Sequence, residues 1–217
     1  MGKRENTLHD LLTSAVPNFI EKPVSVPNYN DIWNSSYRED VQTIYLNLGG
    51  ILPKFPLRLR KWDIILNGIA VELDEQLHFN RYRHLTLQSS IYKQLKTFPL
   101  NDYQHYCLTY EDQCLKAGSY GKRWSNKSCE DQFGQASPLG CLSDNGSPRW
   151  KQRAFYDYVK DVSQLVLGIS VVRLAVWDRL DVEGVELSIA EILDQNMLAG
   201  AEALYKLILK RSEQEIF

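Results

Sequence analysis

Apolar and polar positions alternate along two short runs that flank the dipeptide Asn67-Gly68. One set of alternate positions is wholly apolar and comprises Trp62, Ile64, Leu66, Ile69, Val71 and Leu73. Such alternation is typical of strands with one face in a core, and Asn-Gly between two runs is the strongest short signal for a two-residue hairpin turn. The pattern therefore predicts a β-hairpin in which Ile64 faces Val71 and Asp63 faces Glu72.

Helical spacing of apolar residues and closing glycines predict the other elements. They are a short helix at 8–16, a helix at 36–48 that ends at Gly49-Gly50, an amphipathic helix at 150–168, a strand at 170–177 and a helix at 189–209. Residues 54–60 are a candidate strand, confined to a sheet edge by Pro53 and Pro56. The order α-β-β-β-α-β-α predicts an α/β (α+β) sandwich with a mixed sheet.

Composition changes between residues 97 and 149. This segment holds all four cysteines, is rich in Gly and Pro, and shows no clear periodicity. It is predicted to be an inserted, loop-rich subdomain. We therefore expect an N-terminal arm at 1–30 and a single domain at 31–217, which carries the insertion at about 97–149 and closes with a C-terminal helix.

The hairpin face opposite the apolar one carries Lys61, Asp63, Glu72 and Asp74. Carboxylates directly across a strand pair repel each other by ~0.2–1 kcal/mol, and a cation between them removes that penalty. Oxygen ligands at this density suit Mg²⁺ or Mn²⁺. An ordinary solvated face, on which Lys61 neutralises Asp74, explains the same pattern, and the geometry alone leaves both interpretations open.

The spacing of these acids resembles the core of the PD-(D/E)XK nuclease superfamily, in which an Asp and an acidic-x-Lys motif end adjacent strands. Here Asp63 is followed, after eight intervening residues, by Glu72-Leu73-Asp74. The run VELDEQLH is also similar to the E-x-D-G-x-x-H signature of the branch that contains very-short-patch-repair-like endonucleases. Glu72, Asp74 and His78 fall at the matching spacing.

The resemblance implies a restriction-endonuclease-like α-β-β-β-α-β core and metal-dependent hydrolysis of a phosphodiester bond. The favoured enzyme is a DNA endonuclease of defence, restriction or repair. Asp63 and Glu72 would be ligands of Mg²⁺ or Mn²⁺, and Asp74 would be a further ligand or would orient water. His78 would be a proton carrier or a ligand.

The chain departs from the family pattern at three positions. Glu75 replaces the Gly of the signature, and Asp74 stands where most branches have the Lys that steadies the attacking water. Trp62, rather than Pro, precedes Asp63. Lys61 lies on the same predicted face and is the preferred replacement, with Lys160 on the later helix as a second candidate.

Polar and basic residues near this region are candidates for contacts with nucleic acid, although each one alone is more commonly an ordinary solvated charge. They are Arg81, Arg83, Arg149, Lys151, Gln152, Arg153 and Lys160, with Lys54, Arg58 and Arg60 as further members of a basic rim. Tyr82 and Trp150 offer rings for stacking. Asp157 is expected to pair with Lys160 along the helix, and Arg173 needs a carboxylate partner if it points inward.

The cysteines at 107, 114, 129 and 141 could hold zinc, since a small insertion cannot build a large core. The ligand candidates are Cys107, Cys114, Cys129 and Cys141. Structural zinc sites usually contain paired C-x₂₋₄-C motifs, however, and none occurs here. Buried free thiols are the favoured interpretation.

The bulk composition limits the function classes without deciding between them. A net charge of -2 and a pI near 6.1 mean that a nucleic-acid binder of this sequence needs a local basic rim. No run has the length of a membrane span, and the first residues lack a signal-peptide core, so we expect a cytoplasmic protein.

The partners considered are nucleic acid (DNA rather than RNA), a second copy in a homodimer, or a protein of a defence system. Two alternatives to a nuclease stay open. One is a catalytically degenerate nucleic-acid-binding or assembly module of the same fold, and the other is a zinc-organised interaction protein.

Overall fold

A computed structural model describes residues 2–16 and 22–212 of the chain. Its α-helices are α1 (Lys3–Ala15), α2 (Tyr29–Trp33), α3 (Arg38–Asn47), α4 (Arg81–Thr86), α5 (Leu100–Thr109), α6 (Glu111–Gly118), α7 (Gly121–Trp124), α8 (Lys127–Phe133), α9 (Pro148–Leu167), α10 (Ile189–Asp194) and α11 (Ala201–Ser212). The strands are β1 (Ile64–Leu66), β2 (Ile69–Asp74), β3 (Val171–Ala175), β4 (Arg179–Val182) and β5 (Val185–Ser188). Three short 3₁₀ turns lie at Gln76–His78, Ser90–Lys93 and Leu198–Gly200. The predicted mixture of helices with a small mixed sheet is confirmed.

The described residues group into two compact units that interleave along the chain. The sheet unit comprises the described residues within 1–25, 61–75 and 169–217, and the helical unit comprises 26–60 and 76–168. Six residues of the predicted N-terminal arm, 1 and 17–21, lie outside the described residues.

The hairpin of the sheet unit forms with the predicted register. Asn67 and Gly68 both have positive φ, 50° and 88°, as a two-residue turn of this kind requires. Ile64 pairs with Val71 and Leu66 with Ile69, antiparallel. The apolar face predicted from the alternation is buried, including Ile64, Leu66 and Val71 at 3% exposure or less.

The third strand of this sheet, β3, runs parallel to β2, and Glu72 pairs with Arg173 across them. Every residue of β2 and β3 is buried, so both faces of the sheet are covered. Within the unit α11 contacts β3, and α1 contacts α10 and α11. The guanidinium of Arg4 fastens α1 to α10 by donating to both oxygens of Asp194, at 2.8 and 2.7 Å.

The helical unit is built around α9, which contacts α2, α3, α4, α7 and α8. Ser147 caps its start by accepting a bond from the amide of Trp150, and Gly168 ends it in the left-handed conformation at φ 63°. The aromatic rings of Tyr45 and Phe155, 5.2 Å apart, form part of its core. The predicted helix at 150–168 is thus confirmed with an earlier start.

Three predicted elements differ in the structure. Residues 54–60 form no strand, since the two prolines interrupt the pattern of backbone donors that a strand needs. The segment 97–149 is not loop-rich: it contains α5 to α8, whose four to ten residues are too short to show clear periodicity. The predicted helix at 189–209 is interrupted between α10 and α11, where Asn196 has φ 51°.

Among the described residues, no helix combines the length and apolar character that crossing a bilayer requires.

Candidate functional site

Asp63 and Glu72 lie opposite each other at the open end of the hairpin, as the register predicts. Asp63 immediately precedes β1, and its amide donates to Oε1 of Glu72 at 3.3 Å. The amide of Leu73 in turn donates to Oδ2 of Asp63 at 2.9 Å. Each carboxylate is therefore held by the backbone of the opposite strand, which restricts its position.

The acidic face of the hairpin is not a solvated surface. Glu72 is 5% exposed and Asp74 is 1% exposed, while Asp63 is half-buried. Burying an ionised carboxylate is costly unless it is paired, hydrogen-bonded or bound to a metal. Simple solvation, which the sequence left open as an explanation, does not account for this face.

Arg173 of β3 supplies a buried cation beside these acids. Its Nη1 atom donates to Oδ1 of Asp74 at 2.8 Å and lies 4.0 Å from Oε2 of Glu72. The carboxylate partner expected for an inward-pointing Arg173 is confirmed. Among Asp63, Glu72, Asp74 and Arg173, carboxylates outnumber the guanidinium three to one.

The backbone beneath Arg173 is also fixed. Arg211 of α11 donates to the carbonyl oxygen of Arg173 at 2.8 Å and to the carboxylate of Asp178. Asp178 in turn accepts a bond from the amide of Ala175 at 2.9 Å. The end of β3 is thereby tied to α11, which fixes the backbone from which the side chain of Arg173 extends.

His78 pairs with Asp157 inside the helical unit. Nδ1 of His78 lies 2.8 Å from Oδ2 of Asp157, which is buried on α9. A carboxylate that accepts from Nδ1 fixes the tautomer in which Nε2 is the basic atom. The sequence did not predict this pairing, because Asp157 lies 79 positions from His78 in the chain. The role of His78 as a proton carrier or ligand stays a prediction.

A comparison with protein families identifies the family to which this chain belongs. The profile of a family of unknown function, DUF7255, matches residues 43–195, which is well over half of the sequence. The chain belongs to DUF7255. The match includes all three strands of the sheet and the residues Asp63, Glu72, Asp74 and Arg173. No match was found among curated proteins or among solved structures.

Arg81 and Arg83 are predicted to contact nucleic acid, but each forms an ion pair within the protein. Arg81 donates to both oxygens of Glu111, and burial of Glu111 is outweighed by these bonds, so its pKa is lowered. Arg83 is 1% exposed and donates to Asp161 at 2.7 Å. Tyr92 donates to the same oxygen at 2.7 Å, and burial raises the pKa of this tyrosine well above its ordinary value. Arg83 is therefore a core residue, and its predicted place on an exposed rim is wrong.

The candidates on α9 do not form an exposed rim either. Lys151, Gln152 and Lys160 are 7%, 4% and 6% exposed, because α9 is covered on several sides by other helices of its unit. Burial lowers the pKa of Lys151, whose Nζ donates to Oδ1 of Asn145 at 2.6 Å. The remaining two candidates, Arg149 and Arg153, donate to Gln152 and to the carbonyl of Leu77. Trp150 and Tyr82 are also buried, so neither offers an open ring face.

The cysteines are separate free thiols. Cys107, Cys114 and Cys129 are buried and Cys141 is half-buried. Burial raises the pKa of Cys114 to about 12, and that of Cys129 is raised for the same reason. In the described residues, no cluster of three or more potential metal ligands contains a cysteine.

Proposed function

We propose that the DUF7255 chain is a divalent-metal-dependent nuclease with Asp63, Glu72 and Asp74 as its metal ligands. One observation carries the proposal: the hairpin register sets Asp63 against Glu72, and Glu72 and Asp74 are buried. These are the acids whose spacing resembles that of the PD-(D/E)XK nucleases. Buried, closely spaced carboxylates with perturbing neighbours are typical of functional sites.

The topology of the sheet supports the proposed fold. An antiparallel hairpin is followed, after a long helical segment that ends in α9, by the parallel strand β3. This chain order is the one that the later part of the proposed restriction-endonuclease-like core requires, and it supports the proposal. The first strand of that core, expected at residues 54–60, is missing, so the proposal rests on β1, β2 and β3.

The donor atoms suit a hard divalent cation. Mg²⁺ and Mn²⁺ take carboxylate oxygens, and each carboxylate has two oxygens with about four lone-pair directions in total. The bond from Arg173 engages one oxygen of Asp74, and the amide of Leu73 engages one oxygen of Asp63. Hydrogen-bond donors of the protein thus hold the carboxylates of Asp63 and Asp74 in defined positions.

The chain's own residues hold and orient the reacting groups. A divalent ion at this site would supply a water of lowered pKa and charge neutralisation for the phosphate. Asp63 and Glu72 would hold that ion through carboxylates that are themselves bonded to the backbone or bonded by it. Arg173 holds Asp74 in one orientation. Lys61, exposed two residues before Asp63, is the proposed group that steadies the attacking water.

Arg173 also favours a second candidate function. A guanidinium beside Glu72 and Asp74 supplies part of the neutralisation that a metal would provide, which fits a catalytically degenerate nucleic-acid-binding or assembly module. Such a module keeps the fold and the ion pair but needs no divalent ion.

Cleavage of plasmid, single-stranded DNA and RNA with Mg²⁺ or Mn²⁺ separates the two candidates. We expect metal-dependent cleavage by the wild type and a fall of about 100-fold or more in Glu72→Ala and Asp63→Asn. Glu75→Ala is the matched control, because Glu75 is exposed directly after β2. His78→Ala tests the predicted proton carrier separately.

Activity that persists undiminished in Glu72→Ala and Asp63→Asn would exclude the hairpin as the catalytic site. A folded wild type that cleaves none of the three substrates with either metal would favour the degenerate module.

A further inference from the structure

Six arginines of the described residues form ion pairs with carboxylates of the same chain. Ion pairs join Arg4 to Asp194, Arg81 to Glu111, Arg83 to Asp161, Arg173 to Asp74, Arg179 to Glu186 and Arg211 to Asp178. These pairs stabilise helices and strands against one another, and they remove the corresponding cations from the set that could hold a polyanion.

Four exposed cations of the helical unit form a group with a different character. Arg38 begins α3, and Lys54, Arg58 and Arg60 follow on the strand-free segment after it. In the part of the chain that the structure describes, none of the four makes an ion pair with a carboxylate. They are therefore available to an external anion.

An aromatic ring brings two of these cations together. The guanidinium carbon of Arg38 lies 3.7 Å from the centroid of the Trp33 ring, and Nζ of Lys54 lies 5.4 Å from it. Tyr29 stacks on Trp33 with ring centroids 5.3 Å apart, and Phe55 packs at 6.1 Å. A cation held over an indole loses little further freedom when it binds a phosphate, because its orientation is already restricted.

Arg58 and Arg60 extend the group along the chain. They are two residues apart, and Pro56 before them fixes one backbone angle and disfavours a helical conformation. Residues two apart on a non-helical chain are ~6–7 Å from each other. This arrangement presents several separate positive charges rather than one, as a repeating phosphate backbone requires.

Nearby acids do not belong to this group. Glu39 and Asp40 follow Arg38 on α3, but they line an open depression of about 710 Å³ together with Thr43 and Asn47. Neighbouring helix positions do not face each other. Arg38 and Lys54 therefore share the Trp33 ring, and Arg58 and Arg60 add two exposed positive charges shortly after Lys54, on a chain whose net charge is -2.

We propose that Arg38, Lys54, Arg58 and Arg60, ordered at one end by Trp33, form a binding strip for the phosphate backbone of nucleic acid. The identity of the polyanion rests on the proposed nuclease function, whereas the strip itself rests on the exposure and the ring contacts. The strip replaces the buried residues of α4 and α9 as the phosphate-binding surface, and Arg60 precedes Asp63 by three residues in the chain.

The test is fluorescence anisotropy with a labelled single-stranded oligonucleotide and its duplex, in EDTA so that no hydrolysis occurs. The variant R38Q/K54Q/R58Q/R60Q is expected to bind about tenfold or more weakly. The slope of log K against log salt should become shallower by about 0.7 per lost contact for the single strand and about 0.9 for the duplex.

The matched control is K93Q/K96Q/K116Q/K122Q, which removes the same charge from exposed lysines of the same unit. It should keep wild-type affinity within about twofold. Equal weakening in both variants, an unchanged salt slope, or wild-type protein that binds neither oligonucleotide would overturn the strip. The strip would also be overturned if the four substitutions weakened binding of the protein to vesicles that contain phosphatidylserine but left its binding to both oligonucleotides unchanged.

Binding without metal separates this inference from the nuclease proposal. If the strip variant loses affinity while the wild type fails to cleave, the result supports the binding strip and contradicts the catalytic site. If the wild type cleaves but the strip variant binds and cleaves normally, the result contradicts the binding strip and is compatible with the catalytic site.

Discussion

Two buried arginines show how differently the same side chain is used in the two units. In the helical unit Arg83 donates to the carboxylate of Asp161 at 2.7 Å and to the hydroxyls of Tyr92 and Thr86. In the sheet unit Arg173 has Asp74 at 2.8 Å and Glu72 at 4.0 Å.

The difference lies in how the carboxylates are grouped. Arg83 and Asp161 are one cation and one anion that are joined directly in the protein core. The cluster around Arg173 contains three carboxylates, counting Asp63, which is bonded to Glu72 through its amide. A matched buried pair is explained by folding alone, whereas an acid-rich cluster is where a functional cation is expected.

The largest expected effect comes from breaking the matched network. Asp161→Ala should lower the free energy of unfolding by about 3–5 kcal/mol, since it leaves the guanidinium of Arg83 buried without its counter-charge. Urea unfolding measures the change. The double variant Arg83→Met/Asp161→Leu should recover most of the loss, because apolar side chains of similar volume replace a buried pair at little cost. A loss below about 1 kcal/mol in the single variant would contradict the structural role.

A smaller effect should distinguish the acid-rich cluster. A divalent ion at about 100 times its Kd should raise the free energy of unfolding of the wild type by about 2.7 kcal/mol. Asp63→Asn should abolish this gain, and Glu75→Gln should keep it. Thermal or urea unfolding with and without Mn²⁺ gives both values. A gain that survives in Asp63→Asn would place the ion elsewhere.

The smallest effect concerns the exposed pair of Arg81 and Glu111, which serves as a reference for both buried clusters. Bonds from Arg81 outweigh burial and hold the pKa of Glu111 below its ordinary 4.5. The pair therefore stabilises the fold above this pH, and the contribution is lost as the pH falls through the lowered pKa. Because both side chains are partly exposed, the loss should be under about 1 kcal/mol.

Unfolding of the wild type and of Glu111→Gln at about pH 6 and about pH 3 tests this sign. The variant should lose less stability on acidification than the wild type. Asp112→Asn, at an exposed neighbouring position, should behave as the wild type does. An identical loss in Glu111→Gln and the wild type would show that the pair contributes nothing.

Local signals in the sequence predicted the elements that they determine directly. Asn67-Gly68 set the hairpin register, and with it the opposition of Asp63 and Glu72. Glycines marked the ends of α3 and α9. These features depend on backbone conformations that a few adjacent residues specify, so no knowledge of the fold is needed to infer them.

Features that depend on distant residues could not be predicted in the same way. The pairing of Asp157 with His78 and the burial of Arg83 arise from packing between segments far apart in the chain. A basic residue on a helix looks the same in the sequence whether it faces water or a buried acid. For this reason the predicted basic rim combines cations of α4 and α9, which are buried or paired, with Lys54, Arg58 and Arg60, which are exposed.

Direct titration with Mn²⁺, followed by electron paramagnetic resonance of the free ion, tests the central claim most directly. The account predicts stoichiometric binding by the wild type, retained in Glu75→Gln and lost in Asp63→Asn and Glu72→Gln. Binding of equal strength in all four proteins, or none by the folded wild type, would contradict a divalent-metal site on the hairpin.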